Sequence, residues 1–267
     1  EVSNRNNCYR LKYDKSIHAP VLPNEVDQIK MEWNDDKSEV ANQFFLDLRH
    51  GNTKSKLQIY TSHQKKGELP QFFLNGKKVI AIFNSTIDEY AAFPEWDNHI
   101  YKPDETSGIR KIVESFANEN NYIFILRVHP NLRGLSRDQS QLKEIKKLEL
   151  HYDNLYVIWP EETIDTYALL ENCEKVVSFG STIGVEATYW GKPSILAGRC
   201  NYELFDCAYV VRSHEELVEL IKREIPPKPK LGALQYSHWI NTDAIRVFRY
   251  FNEIGNSGGY GIGLFNG

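Results

Sequence analysis

Three small residues, Gly180, Ser181 and Thr182, separate a short apolar run from a stretch with helical character. A helix that begins in this way presents unpaired backbone N–H groups, two hydroxyls and the positive end of its dipole, a combination that favours phosphate binding. The alternative is that Ser181 or Thr182 only caps the helix. Glu186, about one turn further on, is placed to reach the hydroxyl pair of a ribose or simply to interact with the helix dipole.

His129 and Pro130 form a second candidate site at the end of another apolar run. Pro130 fixes the turn and biases His129 towards an extended backbone. A histidine held in this way donates to a phosphate oxygen, acts as an acid or base, or bonds a loop carbonyl. Arg127 shares a face with His129 if the strand continues, and the alternative role for Arg127 is a salt bridge to a neighbouring helix.

A third polar group follows the first long apolar run and consists of Ser85, Thr86, Asp88 and Glu89. We expect the hydroxyls to join the phosphate site. A carboxylate pair in this loop can act as a general base, as a nucleophile or as a ligand of sugar hydroxyls. The alternative is a charge pair at the start of a helix. Because carboxylates repel phosphate, we expect Asp88 or Glu89 to face a sugar.

The elements that must position these groups alternate between strand and helix from residue 77 to residue 223, which predicts an α/β fold with a doubly wound, mostly parallel sheet of five or six strands. Ligands of such sheets bind outside the carboxyl ends of the strands, where all the polar groups above are located. The predicted strands are 78–83, 122–128, 155–159, 175–179, 194–197 and 209–211. The predicted helices are 37–49, 107–118, 138–148, 163–171, 183–190, 215–223 and 236–252.

Composition bounds the domain organisation and the function class. The 267 residues permit one large or two small domains, and the strand–helix alternation divides them into an opening region at 1–75, an α/β domain at 76–225, and a linker with a terminal helix at 226–267 whose glycine-rich end is frayed or cut. A net charge of −4 argues against a general nucleic-acid binder. The four cysteines lack CxxC spacing, as in reduced cytoplasmic proteins. Because the chain starts at Glu1 without a signal peptide, we expect a fragment of a longer cytoplasmic protein.

Several common motifs are missing from the sequence. It has no Walker motif, no GxGxxG after a strand, no HExxH, no Cys/His cluster and no GxSxG elbow between a predicted strand and a predicted helix. It also has no Asp-x-Asp, so we expect no metal requirement, with His129, the hydroxyls and the helix dipole stabilising the leaving nucleotide instead.

The motifs FNST-x-DE, RVHPN and WPEETIDTYALLENCEKVVSFGSTIGVEATYWGKP, in this order, resemble the bacterial capsule polysaccharide biosynthesis family. That family contains GT-B glycosyltransferases, including enzymes that transfer Kdo from CMP-Kdo, and its HP and Ser/Thr motifs are similar to those of bacterial sialyltransferases. The resemblance covers residues 77–223. It implies that His129, Ser181 and Thr182 bind the donor phosphate and that Glu186 lies near the ribose.

The resemblance implies a glycosyltransferase of capsule or lipopolysaccharide synthesis that moves Kdo or a related acidic sugar from a CMP-linked donor to a growing glycan or glycolipid. It implies no cofactor, and a location in the cytoplasm or at the inner face of the membrane, alone or in a multi-enzyme assembly. A GT-B enzyme has two Rossmann-like domains, whereas this chain has one. Two alternatives therefore stay open: a non-catalytic sugar-nucleotide-binding module of a larger polymerase, and a CDP-glycerol-type glycerophosphotransferase.

Overall fold

Six parallel strands form the central sheet of the computed structural model. The structure describes residues 8–9, 23–51, 61–71, 76–86, 100–101, 104–136 and 139–242, and the short segments 246–247, 251–254 and 259–262. In chain order the sheet strands are β1 (Lys78–Phe83), β2 (Tyr122–Arg127), β3 (Leu155–Ile158), β4 (Lys175–Ser178), β5 (Ser194–Leu196) and β6 (Tyr209–Val210). The predicted α/β fold with a parallel sheet is therefore confirmed.

The strand order is β3-β2-β1-β4-β5-β6, and every neighbouring pair is parallel. The chain starts the sheet in the middle, builds outwards to one side and then returns to build the other side. This is the order of doubly wound nucleotide-binding sheets, and it creates a topological switch point between β1 and β4, the position where ligands of such folds bind.

Eight helices complete the described fold. They are α1 (Pro23–Met31), α2 (Asp35–His50), α3 (Glu105–Glu114), α4 (Ser140–His151), α5 (Thr166–Asn172), α6 (Ile183–Tyr189), α7 (His214–Lys222) and α8 (Lys230–Thr242). Side-chain caps set several of the helix starts, because Asn34, Asp104, Asp165 and Ser213 each accept a backbone N–H of the following turn.

Apolar side chains form three cores. The front core lies between the sheet and helices α3, α4 and α7 and includes Ile80, Ile109 and Phe124. The back core lies between the sheet and helices α5 and α6 and includes Ile125 and Ile183. A sheet covered on both faces explains why its strands read as continuous apolar runs.

The third core, which we call the outer core, joins the helices α1, α2 and α8 to α6. Phe45 of α2 stacks on Tyr189 of α6 with ring centroids 4.0 Å apart, and Tyr236 and Trp239 of α8 are buried in the same core. The Ser237 hydroxyl donates to the Ala41 carbonyl over 2.8 Å, which links α8 to α2 directly. This packing confirms that the aromatic side chains of the terminal helix fold back over the domain.

Two sequence predictions about the ends of the chain are wrong. The terminal helix spans Lys230–Thr242 instead of 236–252, because Pro229 directly precedes its start and a proline there favours a helix beginning. The glycine-rich end is not simply frayed: Phe251–Ile254 pairs antiparallel with Gly259–Ile262, and Cys8–Tyr9 pairs with Arg246–Val247. Helix α1 was not predicted from the sequence, and Pro23 is its first residue, a position that proline favours.

Three of the four cysteines lie in the described cores as free thiols. Cys173 belongs to the back core, and Cys200 and Cys207 belong to the outer core. Burial raises the pKa of all three thiols, to about 12 for Cys173. Within the described residues no helix is long and apolar enough to cross a membrane.

Candidate functional site

The segments that follow β1, β2 and β4 meet at the carboxyl edge of the sheet, around the switch point. Phe83 at the end of β1 is level with Arg127 on one side and with Ser178 on the other. Two hydrogen bonds join the three segments: the Ser85 hydroxyl donates to the Phe179 carbonyl over 2.7 Å, and the His129 N–H donates to Asn84 Oδ1 over 2.9 Å. The candidate residues therefore lie on one continuous rim.

The turn between β4 and α6 directs the Ser181 carbonyl group towards the inside of the protein. Gly180 has a φ of 92°, a left-handed conformation that glycine adopts without strain. The Ser181 carbonyl accepts the Gly184 N–H, the Ser178 hydroxyl and the Tyr202 hydroxyl, the last over 2.8 Å. By contrast, the N–H groups of Ser181 and Thr182 donate to none of the described residues. These are the N–H groups for which the sequence analysis predicts phosphate binding.

Thr182 occupies the N-cap position of α6 but makes no side-chain capping bond. Its side chain instead bonds the Glu186 carboxylate, so the simple capping role does not apply. Ser181 is half-buried and Thr182 is exposed, which leaves the start of α6 accessible from the rim.

The backbone holds His129 in a defined orientation. His129 precedes a short 3-10 helix, Pro130–Leu132, and its Nδ1 accepts the Asn131 N–H over 3.2 Å. Because Nδ1 is an acceptor, the proton of the neutral imidazole lies on Nε2, which is then the donor atom of the ring. Pro130 thus contributes by fixing the turn, as predicted.

The loop after β1 is held by residues that the sequence analysis missed. Glu105, at the start of α3, accepts the Ser85 N–H over 3.1 Å, and Gln141 of α4 donates to the Ser85 carbonyl and to Glu105. All three side chains are buried. Ser85 therefore acts as a brace of the rim through its hydroxyl and both of its backbone groups, and its hydroxyl differs from the exposed phosphate donor that we expected.

Thr86 is 2% exposed, and its hydroxyl has no hydrogen-bond partner among the described residues. It is the hydroxyl in this loop that remains available for a ligand. Asp88 and Glu89, the predicted sugar-facing carboxylates, lie outside the described residues.

Arg127 is the most unusual residue of the rim. Its side chain is 3% exposed, yet none of its three guanidinium nitrogens has a hydrogen-bond partner within the described part of the chain. Burial lowers its pKa to about 10, so the group is still a cation at neutral pH. The salt bridge to a neighbouring helix that we considered is not found among the described residues.

Glu186 lies inside the protein rather than at its surface. Its side chain is 6% exposed, and Oε2 accepts the Tyr167 hydroxyl of α5 over 2.6 Å. Burial raises the pKa of this carboxyl, although the hydrogen bonds from Tyr167 and Thr182 lower it in part. This position differs from the ribose contact expected from the sequence, and it makes Glu186 a link between the start of α6 and α5.

No group of three or more His, Cys, Asp or Glu side chains in the described residues is arranged to hold a metal ion. The described rim offers hydrogen-bond donors and a cation, which are groups that bind anions. Its donors are backbone N–H groups, the His129 ring, the Thr86 hydroxyl and the Arg127 cation.

One protein family and several solved structures resemble parts of this chain. Residues 98–215 match the family described as "Capsule polysaccharide biosynthesis protein". The search of curated proteins gave no match. Among solved structures, the beta Kdo 2,4 and 2,7 transferases KpsC of Thermosulfurimonas dismutans share 15% and 17% identity over 86% and 80% of this chain, with TM-scores of 0.44 and 0.43. UDP-GlcNAc 2-epimerase of Neisseria meningitidis shares 19% identity over 66%, with a TM-score of 0.37.

This chain spans 62%, 57% and 41% of the lengths of those three structures, in the same order. At such identities and TM-scores the likeness bears on neither substrate nor reaction. The family match covers His129 and the Ser181–Thr182 turn and confirms the resemblance that these motifs predict. Residues 98–215 are therefore the part of the chain that matches the capsule polysaccharide biosynthesis family.

Proposed function

We propose that this chain is the donor-nucleotide-binding half of a capsule-type GT-B glycosyltransferase. The observation that carries the proposal is the switch point, where the unpaired N–H groups of Ser181 and Thr182 share one rim with a histidine whose donor atom is fixed. The N–H groups and the imidazole contact one phosphate of the donor from two sides. The described polar groups match that task, because backbone N–H groups at a helix start and an imidazole N–H are donors that suit phosphate oxygens.

The donor in this proposal is a CMP-linked acidic sugar such as Kdo, and the acceptor is a growing glycan or glycolipid. The acceptor-binding half lies outside this chain or is supplied by a partner. Charge on the departing nucleotide is stabilised by the α6 N–H groups and His129, so that no metal ion takes part.

Nucleotide binding tests the proposal directly. We expect calorimetry with CMP-, UDP-, GDP- and CDP-linked donors, all in the presence of a chelator, to detect binding with a preference for one base. His129→Ala should weaken binding by one to two decades, since a charge-assisted hydrogen bond contributes about 1.5–3 kcal/mol. Ser181→Ala combined with Thr182→Ala tests the hydroxyls of the turn. Because the backbone N–H groups remain, the double variant should lose less affinity than His129→Ala.

Arg223→Ala, at an exposed position at the carboxyl end of α7, is the control and should bind like the wild type. Binding that disappears with the chelator, or that is unchanged in folded His129→Ala protein, contradicts the proposal.

Asp88 and Glu89 are proposed as the carboxylates that act on the sugar. The amide variant of the residue that reacts should reduce transfer strongly while donor affinity stays within about twofold, because only a transition-state interaction is lost. The assay needs the acceptor-binding partner or the full-length protein. Normal turnover in both Asp88→Asn and Glu89→Gln would assign these carboxylates a structural role.

A further inference from the structure

Residues 61–70, which precede β1, lie against the loop that follows β3. Several hydrogen bonds join this segment to the loop after β3 and the start of α5. The Lys65 N–H donates to the Thr163 carbonyl over 2.7 Å, the Gly67 N–H donates to Asp165 Oδ2 over 2.7 Å, and the Thr166 N–H donates to Gln64 over 2.8 Å. In the sequence this segment is only polar and basic, and no pattern within it predicts a position at the rim.

The segment brings His63 into the surroundings of Arg127. Nε2 of His63 is buried and has no hydrogen-bond partner in the described residues. The pKa of His63 is lowered by burial and by the positive charges of Arg133 and Arg127, although hydrogen bonds to the backbone of Pro160 and Glu162 raise it in part. His63 is half-buried and Arg127 is buried, and the positive charge of Arg133 acts on both groups.

The carboxylates nearest to Arg127 are already occupied. Glu162 accepts the Trp159 N–H over 2.6 Å. Asp165 accepts the Gly67 N–H through one oxygen and the Tyr167 N–H through the other. Both raise the Arg127 pKa through space, but neither bonds its guanidinium. Burying a cation without a hydrogen-bonded partner is costly, so a site of this kind is complete only when an anion enters it.

The sheet register places this site beside the switch point and apart from the α6 turn. Arg127, Phe83 and Ser178 are level on β2, β1 and β4. At about 4.8 Å per strand, Arg127 and Ser178 lie roughly 10 Å apart. A single phosphate does not cover that distance, whereas two anionic groups of one sugar nucleotide do.

We propose that Arg127 and His63 form a second oxyanion subsite, which binds a carboxylate or a second phosphate of the donor while the α6 turn binds the first phosphate. This inference rests on the proposed function. A planar guanidinium matches either oxyanion in a bidentate manner, which explains an arginine at this position. With this subsite, the protein selects donors that carry two anionic groups.

Calorimetry with three ligands tests the subsite: CMP with one phosphate, CDP with two, and CMP-N-acetylneuraminic acid with a phosphate and a carboxylate. Arg127→Gln should weaken CDP or the acidic sugar nucleotide at least tenfold, about 1.4 kcal/mol, and CMP less than twofold. The ligand that loses affinity identifies a phosphate or a carboxylate as the partner. His63→Gln should weaken the same ligand by a smaller factor.

An equal loss for CMP, or no loss for any ligand, overturns the subsite. If the wild type binds no nucleotide, the proposed function fails and inorganic phosphate becomes the probe. In that case, the subsite is supported if inorganic phosphate binds to the wild type and not to Arg127→Gln. It is rejected if phosphate binds equally to both proteins or to neither.

Two further variants separate ligand binding from a structural role. Arg127→Met removes the buried cation, so it should leave the Tm of the ligand-free protein unchanged or higher while it abolishes the second-anion effect. A marked fall in Tm would show that Arg127 stabilises the fold and would count against the subsite. Arg223→Gln removes an exposed arginine whose partner is Glu219 at 3.6 Å, and it should change neither quantity.

Discussion

At the scale of single residues, the buried carboxyl of Glu186 makes the stability of the protein depend on pH. Burial raises its folded-state pKa above the ordinary value of 4.5. Between 4.5 and the folded-state pKa, the folded protein therefore holds more protons than the unfolded chain, and the free energy of unfolding falls as pH rises through this window. Each tenfold change in proton affinity corresponds to about 1.4 kcal/mol.

Glu186→Gln should remove this dependence. We expect the variant to equal the wild type in stability below pH 4.5 and to exceed it increasingly at higher pH, as measured by urea unfolding across pH 4 to 8. Glu39→Gln, on the exposed side of α2, is the matched control and should follow the wild type. A wild-type stability that rises with pH relative to Glu186→Gln contradicts the assignment.

The same variant decides what Glu186 does for the ligand. If the carboxyl serves only its bond to Tyr167, Glu186→Gln should bind nucleotide within about twofold of the wild type. A loss of tenfold or more would restore the ribose contact expected from the sequence.

At the scale of elements, the start of α6 depends on a close approach between helix and sheet. A Cβ on Gly184 would lie 2.3 Å from the Tyr202 hydroxyl and 3.0 Å from Ser178 Cβ. Tyr202 is fully buried and bonds the Ser181 carbonyl, so it cannot move without disturbing the turn that contains Ser181 and Thr182. Gly184→Ala should therefore cost about 1–3 kcal/mol of stability and weaken nucleotide binding as well.

A double-mutant cycle makes this prediction specific. Tyr202→Phe removes the hydroxyl that an alanine at 184 would meet, so Gly184→Ala should be less costly in that background than in the wild type. The measurement is the free energy of unfolding of all four proteins. Additive effects would mean that another contact limits the space at Gly184.

The sequence was informative about elements for a simple physical reason. A parallel strand covered on both faces must be apolar along its whole length, so all six strands were predicted within one residue of the observed ends. Ligands of parallel sheets bind at the carboxyl ends of the strands, and on this basis the sequence analysis placed His129, Arg127 and the Ser181–Thr182 turn together. Terminal helix α8 was misplaced because aromatic residues suit helices and strands alike.

The supports of the rim were not predictable in the same way. Ser85 is held by Glu105 and Gln141, which are 20 and 56 residues away in sequence, and His63 reaches the rim from the segment before β1. Such pairings depend on the packing of α3, α4 and residues 61–70, and no local pattern encodes them. For the same reason the burial of Glu186 could not be seen from its place in α6.

At the scale of the whole molecule, the helices before β1 and after β6 form one outer core on α6. The division at residues 75 and 225 remains a proposal from the sequence, and this packing leads us to propose that the two flanks fold together with the sheet. Phe45→Ala should cost about 3–5 kcal/mol, because a fully buried aromatic ring stacked on Tyr189 is removed.

Thermal and urea unfolding should show this loss in one cooperative transition. Val40→Ala on the same helix is the control: Val40 is 48% exposed, so its loss should change stability by no more than about 0.5 kcal/mol. A small effect of Phe45→Ala, or two separate transitions, would mean that the outer core is a separate unit.

The positions of the three buried cysteines allow the opening of the cores to be measured by chemical labelling. A thiol with a raised pKa inside a closed core reacts with an alkylating reagent only when that core opens, so the labelling rate measures the opening free energy of its surroundings. Cys200 and Cys207 report on the outer core and Cys173 on the back core beneath α5 and α6. Without any engineered probe, labelling of these three cysteines, followed peptide by peptide in a mass spectrometer, thus records whether the flanking helices open before the sheet that carries the proposed nucleotide site.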